Sequence, residues 1–514
     1  MRDWGIAGKP AKPMKERMQN AVSDDRAGGG VAKPSILRNL IAVRPVDPAG
    51  VASGAQRLKQ VLTVPALTAI GLGATIGTGI FVFTGQVAAL HAGPAVTLSL
   101  LVAAFGSGLA ALCYAEFATF LPVPGSAYSY AYATLGEAVA WFIGWNLLLE
   151  YALSASAVAV SWSGYVCNLL GEVNIHLPAV LVNAPLAGYP DGHVEWTGAL
   201  INLPAVLIVA AMSAVCYIGV RESAGANTVM VALKVGIIVI FVLAGMQFID
   251  TANWHPYVPP NAGTYGHFGW SGVLQGAAII FFSYVGFDTA STTALEARNP
   301  QRDLPRGIIG ALVISALLYV GMSTVMTGMV SYTKLNVDAP VAVAMDAHPG
   351  LAWLSIPVKI GIIVGMTSVI LTSLLGQPRI LLSMADDGLL PGGMSKCHPR
   401  YRTPHVATVV TGVIAAFFAG VFPLDVLGEL ISIGILLAFA VVCLGVLVLR
   451  KTRPDAPRPF RVPWAPVTCV LGAVVCLGIT LALPAGTWWR LLVWTIVGMS
   501  IYAFYGYRHS RLRK

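Results

Sequence analysis

The sequence predicts an all-α membrane protein of about twelve transmembrane helices, and three observations carry that expectation. Of its 514 residues, 56% are hydrophobic and 11% are charged, with a mean hydropathy of +0.73; soluble proteins carry about 25% charged residues. Apolar runs long enough to cross a bilayer follow one another from residue 64 to residue 507. The basic residues collect in alternate connections between those runs, as the positive-inside rule requires. Together these features exclude a soluble multidomain enzyme.

Residues 1–58 are polar, hold Gly28, Gly29 and Gly30 and several prolines, and read as a mostly disordered cytoplasmic tail. No apolar stretch follows Met1, so a cleaved signal peptide is not expected. Residues 59–507 form the membrane domain, and 508–514 form a basic cytoplasmic tail. Within the domain, hydropathy marks spans at roughly 64–90, 95–118, 136–166, 198–220, 226–249, 270–295, 307–331, 351–384, 405–423, 426–449, 465–484 and 487–507.

With the N-terminus inside, the inner connections hold Arg221, the group Arg298, Arg302 and Arg306, then Lys396, Arg400 and Arg402, and finally Arg450 to Arg461. The outer connections and helix ends hold only Lys334 and Arg490, and the long outer loop 167–197 has no Lys or Arg. Both termini are therefore expected in the cytoplasm. The same placement accounts for the net charge of +9 without nucleic acid as a partner. Trp488 and Trp489 at one end of the last span, and Tyr502, Tyr505 and Tyr507 at the other, suit the lipid interfaces.

Span one contains Gly71 to Phe83, in which Gly71, Gly73, Gly77 and Gly79 weaken the helix. A break inside a bilayer is tolerated only where it lines a protein cavity, and it offers free N–H groups and a positive dipole end to a carboxylate. The competing reading is a GxxxG packing face through Gly73 and Gly77. A dinucleotide loop fits worse, because its third glycine would fall on Ile76. A second weak stretch, Phe281 to Thr289, lies mid-run in span six. Paired interruptions in corresponding positions of two five-helix halves point to a transport site at the midplane.

Ionisable residues inside spans cost about 2.5–3.5 kcal/mol each at the bilayer centre. Lys234 lies eight residues into span five, about 12 Å along the helix, so it either snorkels incompletely or is an internal functional cation. Glu150, mid-span three, serves either a site or an interhelical hydrogen bond. Asp288 follows the second weak stretch and either caps the next half-helix or meets substrate. Lys359, nearer the outer end of span eight, reads as a snorkelling residue. Glu116 and Glu296 fall at cytoplasmic ends, as gating ion pairs or as solvated groups. The nine histidines sit in loops or near helix ends, and the seven cysteines form no C-x-x-C pair, so no metal site is expected. No convergent nucleophile set for an enzyme is present either.

Further motifs follow the glycine-rich stretch: Tyr114-Ala115-Glu116-Phe117 and Pro122-Val123-Pro124-Gly125-Ser126-Ala127-Tyr128-Ser129-Tyr130, then Glu296-Ala297-Arg298-Asn299-Pro300 continuing to Ile308. Gln377-Pro378-Arg379, Met384-Ala385-Asp386-Asp387-Gly388 and Arg458-Pro459-Phe460-Arg461-Val462-Pro463 complete the set. From about residue 58 onward the chain resembles the amino acid–polyamine–organocation superfamily, and within it the bacterial relatives of the cationic amino-acid transporters.

That resemblance implies two inverted five-helix repeats with helices 1 and 6 broken, plus two extra C-terminal helices. It implies a substrate carboxylate on backbone N–H groups of Gly77, Thr78 and Gly79. The ammonium would meet carbonyls of Ile76, Phe282, Ser283 and Val285, with Glu150 and Asp288 at family-matching acidic positions. Lys234 matches the lysine of proton-driven members, and span eight around Thr372 and Ser373 would limit side-chain volume. The expected function is import of an amino acid across the bacterial inner membrane by proton symport, with no cofactor beyond the coupling proton. The alternative is an amino-acid or polyamine exchanger independent of the proton gradient. Substrate identity and oligomeric state are not fixed by the sequence.

Overall fold

Two short strands, Leu186–Gly188 and Val194–Trp196, pair antiparallel in one connection, and all other regular structure among the described residues is helical. The computed structural model describes residues 62–120, 126–188, 194–219, 224–287, 289–292, 297–454 and 458–513. The expected tail 1–58, Arg221, Asp288, Glu296 and the stretch Pro122 to Gly125 lie outside the described residues.

The main helices follow the apolar runs in order. They are α1 Val64–Thr75, α2 Val96–Phe120, α3 Glu137–Glu172, α4 Leu203–Ile218, α5 Ala224–Gly245, α6 Gly269–Ile280, α7 Pro300–Met329, α8 Ala352–Asp386, α9 His405–Val421, α10 Leu424–Thr452, α11 Ala465–Leu481 and α12 Ala485–Ile501. Among the described residues, six helical stretches are long and apolar enough to cross a membrane, including α3, α7 and α10. The helices α11 and α12 form a pair bent by 110°, and α1, α4 and α9 are shorter apolar helices. The chain thus has the build of a multi-pass helical membrane protein.

Local chemistry sets the ends. Pro65 occupies the first turn of α1, where its missing N–H costs nothing. Asn202 caps α4 by accepting from the Ala205 N–H at 3.2 Å. Gly93, at φ +61°, turns the chain between the first run and α2, where a side chain would be strained. One large core cluster, beside a small one around Leu62, Leu67 and Leu304, has α3 packed along α8 and α10, and α7 packed along α1 and α2.

Three buried ionisable side chains among the described residues are each held by partners, as low dielectric demands. Glu116 of α2, fully buried, accepts Arg450 Nε at 3.0 Å and Nη2 at 2.6 Å, and the Val462 N–H at 2.7 Å; Arg458 Nε lies 3.6 Å away. Glu137, at the start of α3, accepts from the hydroxyls of Tyr132, Tyr502 and Ser510 and from Arg513 Nη2 at 2.6 Å. Lys359 is 1% exposed and does not snorkel. Its ammonium is paired with Glu172, at the end of α3, and with Asp346 at 2.8 Å. Asp346 ends the short helix Pro340–Asp346, whose other end lies over the first run: a Cβ on Gly85 would stand 2.5 Å from Pro340.

Candidate functional site

The first run breaks where its glycines cluster. Helix α1 stops at Thr75, and the Ile76 N–H still reaches Leu72 O at 2.9 Å while Ile76 itself turns extended at ψ 100°. Helical geometry returns at Thr78, and a π-helical turn spans Gly79–Phe83. The break therefore exposes carbonyls at the end of one half-helix and first-turn N–H groups at the start of the next.

The second run breaks in the same manner. Helix α6 ends at Ile280 and tightens into a 3₁₀ turn, Phe281–Tyr284. Val285 is extended, and Gly286 sits at φ +121°, a conformation that only glycine adopts without strain.

Glycines let the two breaks interlock. A Cβ on Gly79 would stand 2.1 Å from Ser283 Oγ, and one on Gly286 would stand 2.6 Å from the backbone at Ala74 and Thr75. Gly73 faces Asn227 and Val231 of α5, whereas Gly77 faces Val369 of α8. Those two glycines thus pack against different helices rather than along one GxxxG seam.

Two polar side chains from neighbouring helices enter this junction. Lys234, fully buried on α5, donates from Nζ to Gly73 O at 2.7 Å and to Ile76 O at 3.1 Å, satisfying carbonyls that the break left without helical partners. Its stem lies along α8, where a Cβ on Gly365 would stand 3.1 Å from Lys234 Cγ. Tyr319, fully buried on α7, has its hydroxyl 2.8 Å from Thr75 O and 2.9 Å from Ser283 O.

Of the residues singled out from the sequence, Ile76, Gly77, Thr78, Gly79, Phe282, Ser283, Val285 and Lys234 all fall on these two breaks or against them. Glu150 is buried on α3, next to Tyr151, which packs on Gly376 of α8; the contacts just described do not run through it. Thr78 Oγ1, Ser283 Oγ and Tyr284 Oη are buried with no hydrogen-bond partner among the described residues. Buried hydroxyls of that kind are uncommon and mark places where a further polar group belongs. Phe83 and Phe282 meet edge to face at 4.7 Å beside them. The arrangement offers carbonyls, N–H groups, hydroxyls and a lysine around one point, groups suited to a zwitterion; among the described residues it holds no nucleophile and base pair for covalent chemistry.

Tyr319 escaped sequence reasoning, because a tyrosine in an apolar run carries no charge to flag it. Glu137 escaped too, since an acidic residue at a helix start is ordinary.

Comparison with known proteins agrees with this geometry. The amino acid permease family model matches residues 62–502. The branched-chain amino acid permease BcaP of Bacillus subtilis is 42% identical over 487 residues, covering 95% of this chain and all of that protein. The methylthioribose transporter of the same organism is 41% identical over 483 residues, covering 93% of this chain and all of that protein. The vacuolar cationic amino acid transporter 2 of Arabidopsis thaliana is 37% identical over 432 residues, 84% of this chain and 66% of that protein. With two interlocked helix breaks and a family match over most of its length, the chain belongs to the amino acid permeases of the amino acid–polyamine–organocation superfamily, a family of transporters and not of enzymes.

Proposed function

We propose that this protein imports α-amino acids across the bacterial inner membrane by proton symport, alternating access around the two breaks. The observation that carries the reading is the Lys234 ammonium on the Gly73 and Ile76 carbonyls. A charged lysine there ties α5 to the first half-helix, and loss of its proton would release that tie. Proton binding and access of the site are then coupled as two linked equilibria.

In this reading the substrate carboxylate meets the N–H groups of Gly77, Thr78 and Gly79, and its ammonium meets the Ile76, Phe282, Ser283 and Val285 carbonyls. Thr78 Oγ1 and Ser283 Oγ, which have no partner among the described residues, are available to the same zwitterion. The apolar neighbours Val369, Phe83 and Phe282 favour a neutral side chain over a cationic one. The proposal includes twelve spans, two inverted five-helix repeats and both termini in the cytoplasm. Uptake of labelled leucine into proteoliposomes with an imposed inward proton gradient tests it. Accumulation that ignores the gradient but follows amino acid preloaded inside would establish exchange instead.

A further inference from the structure

We propose that Tyr319 is a positioning residue for transport: its hydroxyl links the two broken helices, so that the state of Lys234 at the first break is passed to the second. The inference rests on reading the breaks as the transport site.

The connection is continuous in hydrogen bonds and backbone. Lys234 Nζ holds Gly73 O and Ile76 O. Thr75 lies between those two residues, and its carbonyl receives the Tyr319 hydroxyl at 2.8 Å. The same hydroxyl is 2.9 Å from Ser283 O in the 3₁₀ turn of the second break. A phenol has one proton to donate, and here two buried carbonyls share it. Any motion that parts the breaks forces the hydroxyl to follow one and abandon the other. A donor with two alternative acceptors is the kind of two-state element through which coupling between sites is carried. Lys234 adds its own pull on the Thr75 side, so its presence biases which carbonyl the hydroxyl keeps. The Tyr319 ring also packs on Tyr284, centroids 5.2 Å apart, so the ring would stay in place without its oxygen.

The test is hydrogen exchange on the purified full chain, with wild type, Lys234→Ala, Tyr319→Phe and the double variant, read over residues 281–287. Lys234→Ala should speed exchange there about tenfold, the weight of roughly one hydrogen bond. In the Tyr319→Phe background the same lysine change should leave 281–287 unmoved. Replacing Tyr319 by para-aminophenylalanine, whose amine has two N–H donors and can serve both carbonyls at once, should hold the junction together yet leave 281–287 equally unmoved by the lysine change, and so covers the case in which Tyr319→Phe folds poorly. In proteoliposomes Tyr319→Phe should raise KM for leucine about tenfold with kcat within about twofold; a residue that only supports folding would lower the amount of active protein and leave KM alone. A lysine effect on 281–287 that is equally large with and without the hydroxyl would overturn the proposal. If wild type carries no amino acid, the transport reading fails, while the exchange comparison, which needs no substrate, still decides the role of Tyr319.

Discussion

Gly79 and Ser283 come from different broken helices, yet a Cβ on Gly79 would stand 2.4 Å from Ser283 Cβ and 2.7 Å from its Cα. That proximity is what makes the two breaks one junction. It also fixes which glycine is informative to mutate. Gly79→Leu should fail to reach a folded state, and Gly79→Ala should cost about 1–3 kcal/mol as an overpacked core, read as a lowered unfolding midpoint. Gly77→Ala meets Val369 side-chain carbons only at 3.4 Å. It should keep the wild-type midpoint within a few degrees and weaken leucine binding about tenfold. Wild-type affinity in Gly77→Ala would remove the carboxylate from that backbone.

Lys234 separates a proton-driven transporter from an exchanger. Lys234→Ala should abolish the stimulation of leucine uptake by an inward proton gradient while leaving measurable binding. Lys234→Arg keeps a charge it does not release near neutral pH, and should also lose gradient-driven accumulation. A lysine serving only as a tether would tolerate arginine. Concentrative uptake by Lys234→Arg would transfer the proton role to Glu150 or Asp288.

In the proposed reading, substrate choice follows from the walls. Thermal shift of the purified protein should respond to leucine, valine and isoleucine at lower concentration than to arginine, lysine or polyamines. A stronger response to arginine than to leucine would contradict the apolar assignment and bring Glu150 forward as its partner.

The Glu116 cluster joins α2, α10 and the segment before α11 by one buried carboxylate. Arg450→Ala removes the bidentate partner at 3.0 and 2.6 Å and should destabilise the fold by about 3 kcal/mol, because the buried charge stays. Glu116→Gln in the same chain should recover more than half of that loss. Additive losses in the double variant, measured by thermal unfolding, would mean that the two groups do not act as a pair.

A topology reporter in loop 167–197 should read as periplasmic, and one after Arg513 as cytoplasmic. Both on one side would contradict twelve spans.

Much of this junction was legible beforehand because its elements are costly. Four glycines within Gly71–Phe83, and poor helix formers in Phe281–Thr289, do not survive in a lipid-facing helix, and both runs do break. A lysine eight residues into a span is costly in the same way, which drew attention to Lys234. Three features were not legible, each for its own reason. Tyr319 resembles any core aromatic until its oxygen is seen between two carbonyls. Lys359 looked like a snorkelling residue because only its own helix was visible, while its partner Glu172 is 187 residues distant. Helix lengths, too, hide in hydropathy: the run read as 136–166 continues as α3 to Glu172, since its polar end is held by that ion pair.

The environment of Glu137 carries a consequence in time. Tyr132 is five residues away, but Tyr502, Ser510 and Arg513 lie 365, 373 and 376 residues downstream. At about 5–20 residues per second, a ribosome needs roughly 20–75 s to bring Arg513 to a carboxylate already synthesised. Throughout that interval the carboxyl at the start of α3 is without the guanidinium that it meets in the folded chain. Chains stalled short of Ser510 should therefore be cut by protease near Glu137, and chains extended through Arg513 should resist. Assembly of this end waits on residues made long after Glu137 itself.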